Sequence, residues 1–392
     1  MVKFLNRVAV LLNLVGHAAA GTFITNRVLI GAPERLPKVL LILGHMALWP
    51  LLGLANVLAI RKRGFLWAIL LPNTLGRAWG LFFTLLGVRS IAQELYRKSH
   101  PIAQPLEVLG TTVRPVDLRD QINRHEGLPA SGLRGVVHRL NEMHNLEIVT
   151  HTVQLRALPK EFDGFTIVQV SDMHYMRSAS AEFIRRYVDL VLEMSPDMVA
   201  LTGDYQTYPQ DVERAAHLLA PFGEWSREKR EGLGAVAVLG NHDHEAGQER
   251  VADALRRADI RVLSNGHIEL KRGDANLYIA GVADPWSGRA DLDRALHGIP
   301  REACTIFLAH VPDFLARSAG RVDLQLSGHN HGGQVKLPLL GALLVSSRYG
   351  RRYVEGFYRR GRTLMYVSRG IGGKPAIRLG SKPEITRFVL RS

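Results

Sequence analysis

The sequence predicts an α/β domain preceded by transmembrane helices. Two observations indicate the domain: short β-branched runs alternate with stretches of helical periodicity, and five of those runs end in side chains that bind metals. A third indicates the helices, because residues 1–88 are largely apolar and carry ten charged side chains, of which only one is acidic. A chain of 392 residues is long enough for both parts.

Three apolar stretches near the N-terminus are candidate membrane spans. Residues 39–60 are 22 positions without a charge, the length a helix needs to cross about 30 Å of hydrocarbon. Residues 8–24 are shorter, and residues 65–88 carry Arg77, which indicates a partner, a water-filled cavity or a segment lying in the interface. The basic start also resembles a cleavable secretory signal, but the later spans favour an anchor of two or three helices over residues 1–90.

The basic side chains between these stretches bear on orientation. Under the positive-inside rule, Lys3, Arg7 and the cluster Arg61–Arg63 face the cytoplasm. Three spans would then place the rest of the chain outside the cytoplasm, and two would return it inside. We favour three spans, with the rest of the chain outside the cytoplasm. The basic residues that follow position 88 argue against this orientation.

Composition narrows the kinds of site and partner. Cys304 is the one cysteine in the sequence, which excludes an internal disulfide and a cysteine-rich zinc site. Residues 1–88 contribute +8 of the net charge of +14, and there positive loops and anionic headgroups explain the excess better than nucleic acid does. Membrane lipids are therefore favoured as partners over nucleic acid, and the oligomeric state is left open.

Between the anchor and the α/β domain lies a transition zone. Residues 91–157 are predicted to be a basic linker with a peripheral helix, because prolines divide them and one stretch has helical periodicity. Residues 148–155 alternate as an edge strand would. The catalytic α/β domain is expected over residues 158–392.

Five short runs are the predicted strands of this domain, being too short and too β-branched for helices. They are FTIVQVSDMH (165–174), DMVALTGD (197–204), AVAVLGNHD (235–243), TIFLAH (305–310) and VDLQLSGHNH (322–331). Helical stretches separate the first three, which implies largely parallel strands. The carboxyl ends of such strands meet at one rim, where ligands bind.

Seven side chains at these strand ends form a candidate ligand set. They are Asp172, His174, Asp204, Asn241, His310, His329 and His331. Mixed oxygen and nitrogen donors suit Mn, Fe, Zn, Co or Ni better than Ca or Mg, and seven ligands suit two ions that share a carboxylate. Singly, each motif has a simpler interpretation, such as GHNHGGQ (328–334) as a polar turn. Together they predict a dinuclear centre. The glycines would keep side chains away, so that the backbone can pass close to it.

The motif series SDMH, LTGD, LGNHD, AH and SGHNHGGQ resembles that of the calcineurin-like metallophosphoesterases. The resemblance covers residues 158–392, and the segments LPKEFDGFTIVQVSDMH and YVSRGIGGKPAIRLGSKPEITRFVL are similar to a bacterial membrane-associated branch. It implies a double β-sheet sandwich flanked by helices and two divalent metals, with Mn²⁺ preferred. With the predicted spans, it implies a multi-pass protein of the bacterial cytoplasmic membrane.

The resemblance also implies a role for each ligand. Matched by motif position, the ligands of one metal are Asp172, His174 and His331, those of the other are Asn241, His310 and His329, and the bridge is Asp204.

His242 resembles the catalytic histidine of the GNHD motif, oriented by Asp243. Two cations that share a water lower its pKa, so that hydroxide can attack phosphorus near neutral pH. His242 would then protonate the departing alkoxide or hydrogen-bond a nonbridging oxygen. The first motif runs DMHYM, where relatives usually have a glycine two residues after the histidine, and this departure would let Tyr175 alter the mouth of the site. Tyr205 and Tyr208 follow Asp204, either to line a substrate groove or to pack as loop aromatics.

The expected activity is metal-dependent hydrolysis of phosphodiester or pyrophosphate bonds. A fused membrane segment and a basic excess favour lipid-linked substrates: a phospholipid, an isoprenoid pyrophosphate or a nucleotide-linked lipid precursor. Two alternatives stay open: an enzyme like UDP-2,3-diacylglucosamine pyrophosphatase, and a noncatalytic interaction module of the same fold. The presence of all seven ligands and His242 disfavours the second.

Overall fold

The structure is a computed structural model that describes residues 105–119, 140–175, 181–228, 234–287, 289–337, 341–342, 345–374 and 376–392, with a few isolated positions before residue 96. The chain forms two compact units. One comprises Met1–Ala103 and Val335–Arg352, and the other comprises Gln104–Gln334 and Tyr353–Ser392. In the first unit, the described strands are a short antiparallel pair; the larger sheets belong to the second.

Strands and short helices alternate along the described chain. The strands are β1 (Val108–Asp117), β2 (Asn145–Gln154), β3 (Thr166–Val170), β4 (Met198–Leu201), β5 (Gly234–Ala237), β6 (Arg261–Val262), β7 (Gly266–Arg272), β8 (Ala275–Gly281), β9 (Thr305–Leu308), β10 (Leu324–Ser327), β11 (Lys336–Leu337), β12 (Gly341–Ala342), β13 (Gly356–Arg360), β14 (Thr363–Val367) and β15 (Glu384–Arg391). The α-helices are α1 (Ala181–Glu193), α2 (Val212–Glu228), α3 (Asn241–Glu245), α4 (Gln248–Arg257), α5 (Leu292–Leu296) and α6 (Leu315–Ser318). Short 3₁₀ helices span Lys160–Phe162, Pro209–Asp211, Pro285–Ser287, Pro312–Phe314, His331–Gly333 and Gly350–Tyr353.

Two mixed sheets form the second unit. The first has seven strands in the order β1-β2-β15-β3-β4-β5-β6, and the second has six in the order β13-β14-β10-β9-β8-β7. Strands β3 to β6 run parallel, as do β8, β9, β10 and β14. Each of the five runs predicted from the sequence is a strand, but three lie in the first sheet and two in the second.

The sheets pack face to face over an apolar core. Ile167 and Val236 of the first sheet belong to the same buried cluster as Ile306 and Leu326 of the second. Helices α1, α2 and α4 cover the outer face of the first sheet, and α5 covers part of the outer face of the second. The α/β sandwich flanked by helices is therefore confirmed.

The stretch predicted as a linker contributes two strands to the sandwich. β1 and β2 pair in antiparallel fashion, and β2 also pairs in parallel with β15. Residues 148–155 are thus not an edge strand, because they have hydrogen-bonded neighbours on both sides. Their second neighbour comes from the far end of the chain, so local alternation could not reveal it. The predicted peripheral helix lies almost wholly outside the described residues.

The predicted membrane anchor also lies outside the described residues, apart from isolated positions. In the part of the chain that the structure describes, no helix combines the length and the apolar character needed to cross a membrane.

His151 on β2 is a buried imidazole inside an aromatic cluster. Its ring centroid lies 4.8 Å from that of Phe357 and 5.0 Å from that of Tyr366, and its Nδ1 lies 2.8 Å from Thr111 Oγ1. Burial, only partly opposed by the charge of Glu384, lowers its pKa from 6.5 to about 4.

We expect this histidine to destabilise the fold in acid. Above pH 6.5 the ring is neutral in both states and contributes nothing; between pH 6.5 and 4 the unfolded chain takes up the proton first, which favours unfolding. The resulting decrease in the free energy of unfolding approaches about 3 kcal/mol below pH 4. The free energy of unfolding of His151→Phe, measured with denaturant from pH 7.5 to 4, should lack this acid-dependent decrease. His217→Phe, at an exposed position on α2, should retain it, and equal pH dependence in both variants would contradict the prediction.

Candidate metal centre

All nine predicted site residues lie just beyond the carboxyl ends of strands in the second unit. Asp172 and His174 follow β3, Asp204 follows β4, Asn241, His242 and Asp243 begin α3 after β5, His310 follows β9, and His329 and His331 follow β10. Each is buried or half-buried. Because these strands belong to two sheets, the site lies where the ends of the two sheets meet, not at the rim of one sheet.

Three of these residues form the first cluster: Asp172, His174 and His331. The Nε2 atoms of His174 and His331 lie 3.1 Å apart, and the Nε2 of His331 lies 3.5 Å from Asp172 Oδ1. One carboxylate and two imidazoles with converging ligand atoms suit a divalent cation.

The second cluster consists of Asp204, His310 and His329. The Nε2 of His310 lies 3.2 Å from His329 Nδ1 and 3.2 Å from Asp204 Oδ2. The Nδ1 of His310 lies 2.7 Å from the carbonyl oxygen of Thr202, so it must donate. That hydrogen bond fixes the ring and, in the neutral tautomer, leaves the Nε2 lone pair directed at the cluster.

Asp204 connects the two clusters. Its Oδ2 contacts His310 of the second cluster and also lies 3.5 Å from Nε2 of His174 in the first. Its Oδ1 accepts a hydrogen bond of 2.9 Å from the backbone N–H of His242. A single buried carboxylate oxygen therefore faces both sets of imidazoles, as the predicted bridging ligand would.

The distances within the clusters suit bound cations. Two nitrogen ligands about 2.1 Å from one ion stand roughly 3.0 to 3.4 Å apart at octahedral or tetrahedral angles. The imidazole pairs His174–His331 and His310–His329 lie at 3.1 and 3.2 Å. In addition, the buried Oδ1 of Asn241 has no hydrogen-bond partner among the described residues. A buried amide oxygen without a donor is costly unless it binds something else.

Backbone strain is concentrated at these residues. Nine non-glycine residues of the described chain have positive φ, and five of them are predicted ligands. They are Asp172 (53°), His174 (48°), Asp204 (60°), His329 (71°) and His331 (50°). Left-handed backbone costs about 1–2 kcal/mol per residue and is retained mainly where function requires it. The loops are therefore held in conformations that direct these side chains inward.

Two glycines let the backbone pass close to the carboxylates. A Cβ at Gly328 would collide with the side chains of Ser171 and Asp172, and one at Gly240 would collide with Asp204. The prediction that glycines of GHNHGGQ permit close approach to the site is confirmed at Gly328.

Burial and charge pairing together set the pKa values of the clustered side chains. Burial lowers the pKa of both His174 and His331, which keeps these imidazoles neutral, the form that binds metals. Burial opposes the charged forms of Asp204 and His310 as well, but each is offset by the other. Their mutual attraction holds the pKa of Asp204 well below its usual range and raises that of His310 to about 10.

His242 lies outside the two predicted ligand sets, but it also forms a third group with His174 and Asp204 whose ligand atoms lie within 4.8 Å of one another. Its ring lies 5.0 Å from that of His174, and its Nδ1 lies 3.3 Å from a carboxylate oxygen of Glu245. Burial disfavours its protonation, but the charge of Asp204 and the contact with Glu245 outweigh this and raise its pKa. The imidazole is thus suited to carry a proton at the edge of the site.

Asp243 occupies a different place from the one expected. Its carboxylate accepts hydrogen bonds from the backbone N–H groups of Asp204 (2.7 Å), Tyr205 (3.0 Å) and Gly240 (2.8 Å). Burial and the nearby charge of Asp204 raise its pKa to about 7. Asp243 therefore fixes the loop that carries Asp204, and the side chain that contacts the His242 ring is Glu245.

The two tyrosines after Asp204 differ in their surroundings. Tyr205 is buried, and its hydroxyl lies 2.7 Å from the carbonyl oxygen of Val238, so it packs as a structural residue. Tyr208 keeps 42% of its surface exposed. Tyr175 is buried as well, at 5% exposure, so its ring does not shape the mouth of the site.

Arg378 is a supporting residue that the sequence did not single out. It is fully buried, and its guanidinium donates to the carbonyl oxygens of Gly372 (3.0 Å), Arg369 (2.7 Å) and His331 (3.4 Å). Burial lowers its pKa to about 10. It ties the segment after β14 to the loop that carries His331. Nothing in the sequence distinguishes it from an exposed arginine.

Trp286 is a second such residue. Its ring packs edge to face against His329, with 4.6 Å between centroids, and its backbone N–H donates to Asp284 at 3.1 Å. It forms an aromatic wall beside the second cluster. Residues 277–284 (LYIAGVAD) are a sixth apolar run ending in aspartate, a signal that could have indicated this loop.

Comparison with known proteins places these motifs in a family. The family model described as calcineurin-like phosphoesterase matches residues 165–333. The metallophosphoesterase YkuE of Bacillus subtilis is 34% identical over 276 residues, which are 68% of this chain and 92% of that protein. Phosphodiesterase YaeI of Escherichia coli is 30% identical, covering 58% of this chain and 82% of that protein. A zebrafish (Danio rerio) transmembrane protein with metallophosphoesterase domain is 29% identical, covering 62% of this chain and 57% of that protein.

Proposed function

This chain belongs to the calcineurin-like metallophosphoesterases, and we propose that it is a membrane-anchored hydrolase of phosphodiester or pyrophosphate bonds in lipid-linked substrates. The observation that carries the proposal is the pair of ligand clusters, with Asp204 Oδ2 facing both. A relative named as a phosphodiesterase supports the reaction class.

The described side chains fall into two sets of metal ligands. Asp172, His174 and His331 would hold one divalent cation; Asn241, His310 and His329 would hold the other, with Asp204 shared, and we favour Mn²⁺ over Fe, Zn, Co and Ni. When bound, two such cations supply Lewis acidity that lowers the pKa of water and neutralises charge on the phosphoryl oxygens.

The remaining steps fall to side chains of the protein. His242, held against Glu245, is placed to donate a proton to the leaving oxygen or a hydrogen bond to a nonbridging oxygen. Asp243 keeps the Asp204 loop in register by accepting three backbone N–H groups. Burial of the clusters excludes bulk water, which strengthens each of these interactions.

The membrane anchor is the second part of the proposal. Residues 1–90, with the uncharged stretch 39–60, would form two or three helices in the bacterial cytoplasmic membrane and place the domain outside the cytoplasm. A relative is named as a transmembrane protein with this domain. Residues 91–157 and 158–392 remain our proposed linker and catalytic regions, with β1 and β2 of the former built into the sandwich. Tethering favours substrates that lie in the same membrane.

Substrate profiling of the purified full chain tests this function. With Mn²⁺ added, in detergent or lipid vesicles, we expect about two equivalents of bound metal. We also expect hydrolysis of bis(p-nitrophenyl) phosphate and of at least one lipid-linked phosphodiester or pyrophosphate, including UDP-2,3-diacylglucosamine. Chelation should abolish activity, and Mn²⁺ should restore it. Two bound metals with no hydrolysis of any substrate would instead identify a noncatalytic module.

A further inference from the structure

Lys374 is an exposed cation close in sequence to the segment that contacts the Asp172 loop, and no carboxylate of the described residues neutralises it. Among the described residues, no ion pair joins it to an acidic side chain, and its ammonium lies 5.2 Å from the centre of the Tyr208 ring. An aromatic face attracts a cation without cancelling its charge. The arrangement holds a positive charge in place and leaves it available to a ligand.

The backbone that carries Lys374 is fixed to a metal-binding loop. Ile371 N–H donates to the carbonyl of Ser171 at 3.0 Å, and Gly372 N–H donates to the carbonyl of Asp172 at 2.7 Å. A Cβ at Gly372 would collide with the backbone of Met173. Only glycine at position 372 therefore allows the segment to lie so close to the Asp172 loop. Lys374 follows this glycine by two residues.

Tyr208 is attached to the same loop from the other side. Thr207 N–H donates to the carbonyl of Tyr175 at 3.0 Å, and Thr207 Oγ1 donates to the carbonyl of His174 at 3.2 Å. The aromatic ring and the ammonium above it are thus both positioned by the loop that supplies Asp172 and His174. Their place at the rim is a consequence of the site's own hydrogen bonds.

We propose that Lys374, held over Tyr208, binds a second anionic group of the substrate next to the phosphoryl group that is cleaved. A simple phosphodiester carries one negative charge, whereas a pyrophosphate diester carries two. In the simple diester, the one charge lies on the phosphoryl group held at the ligand clusters. In the pyrophosphate, the second charge lies on the neighbouring phosphate, where a cation outside the clusters can pair with it. This inference rests on the proposed function and narrows it to pyrophosphate linkages over simple phosphodiesters.

Two matched substrates test the inference. The p-nitrophenyl esters of thymidine 5′-monophosphate and thymidine 5′-diphosphate differ by one phosphate, and both can be assayed with the Mn²⁺-loaded full chain. In Lys374→Ala we expect kcat/KM to fall about tenfold or more for the diphosphate ester, the effect of one charge-assisted contact, and by less than about twofold for the monophosphate ester. Tyr208→Ala should share part of this selective loss, and Tyr208→Phe, which keeps the ring, should not.

Lys271→Ala is the matched control. Lys271 is exposed and pairs with Glu269 on β7, at the end of the β7–β8 hairpin away from the site, so the same charge change there should leave both rates unaltered. Equal losses on both esters in Lys374→Ala would overturn the inference, as would a wild type that cleaves only the monophosphate ester. If metal-loaded wild type cleaves bis(p-nitrophenyl) phosphate but neither ester, the inference fails alone; if it cleaves none of the three, nor any lipid-linked substrate, the proposed function fails as well.

Discussion

Asp204→Asn should abolish turnover and lower the metal content. The substitution keeps the shape of the side chain, and asparagine tolerates the positive φ of 60° at this position. It removes the negative charge from the oxygen that faces both His174 and His310. Two cations would then lose their shared anion, so we expect metal affinity to fall by more than about 100-fold, the upper end of the cost of losing a group that merely supports a ligand.

Elemental analysis and activity should be measured on the same preparations of this variant. Asp253→Asn is a suitable control, since Asp253 is an exposed residue of α4 that pairs with Arg256 at 2.8 Å and lies outside both clusters. It should bind two metals and turn over at the wild-type rate. Two tightly bound metals in Asp204→Asn would show that this carboxylate is not shared between them.

The ligands at the strand ends were predictable from the sequence because each motif contains both the strand and its ligand. Runs such as TIFLAH or FTIVQVSDMH combine a β-branched segment with a ligand in a few residues, and strand ends are where such ligands meet. The spacing of Asp172 and His331 along the chain is large, yet the order of the motifs was enough to expect them together. The structure brings both into one cluster.

What the sequence could not predict depends on contacts between distant segments. β2 became an interior strand because β15, from the end of the chain, pairs with it. Asp243 follows His242 directly, but the turn of α3 directs its carboxylate to the backbone of the Asp204 loop. Arg378 supports the site from a segment with no ligand motif. In each case, the deciding partner is remote in sequence.

His242→Ala should leave metal binding intact while removing most of the activity. The imidazole is not part of either proposed ligand set, and its nearest acidic contact outside the clusters is Glu245 at 3.3 Å. Loss of a positioned proton donor or hydrogen-bond donor typically costs about 100- to 10,000-fold in rate. Elemental analysis should still find two metals per chain. Metal loss on this change would contradict the role we assign to His242.

The leaving group distinguishes the two roles open to this histidine. A p-nitrophenolate departs without a proton, whereas an alkoxide needs one in the transition state. If His242 protonates the leaving oxygen, His242→Ala should slow hydrolysis of an alkyl ester far more than that of bis(p-nitrophenyl) phosphate. If it hydrogen-bonds a nonbridging oxygen, both rates should fall by the same factor. His244→Ala, on the same helix and in contact with Gln248 at 3.1 Å, is the control that should change neither.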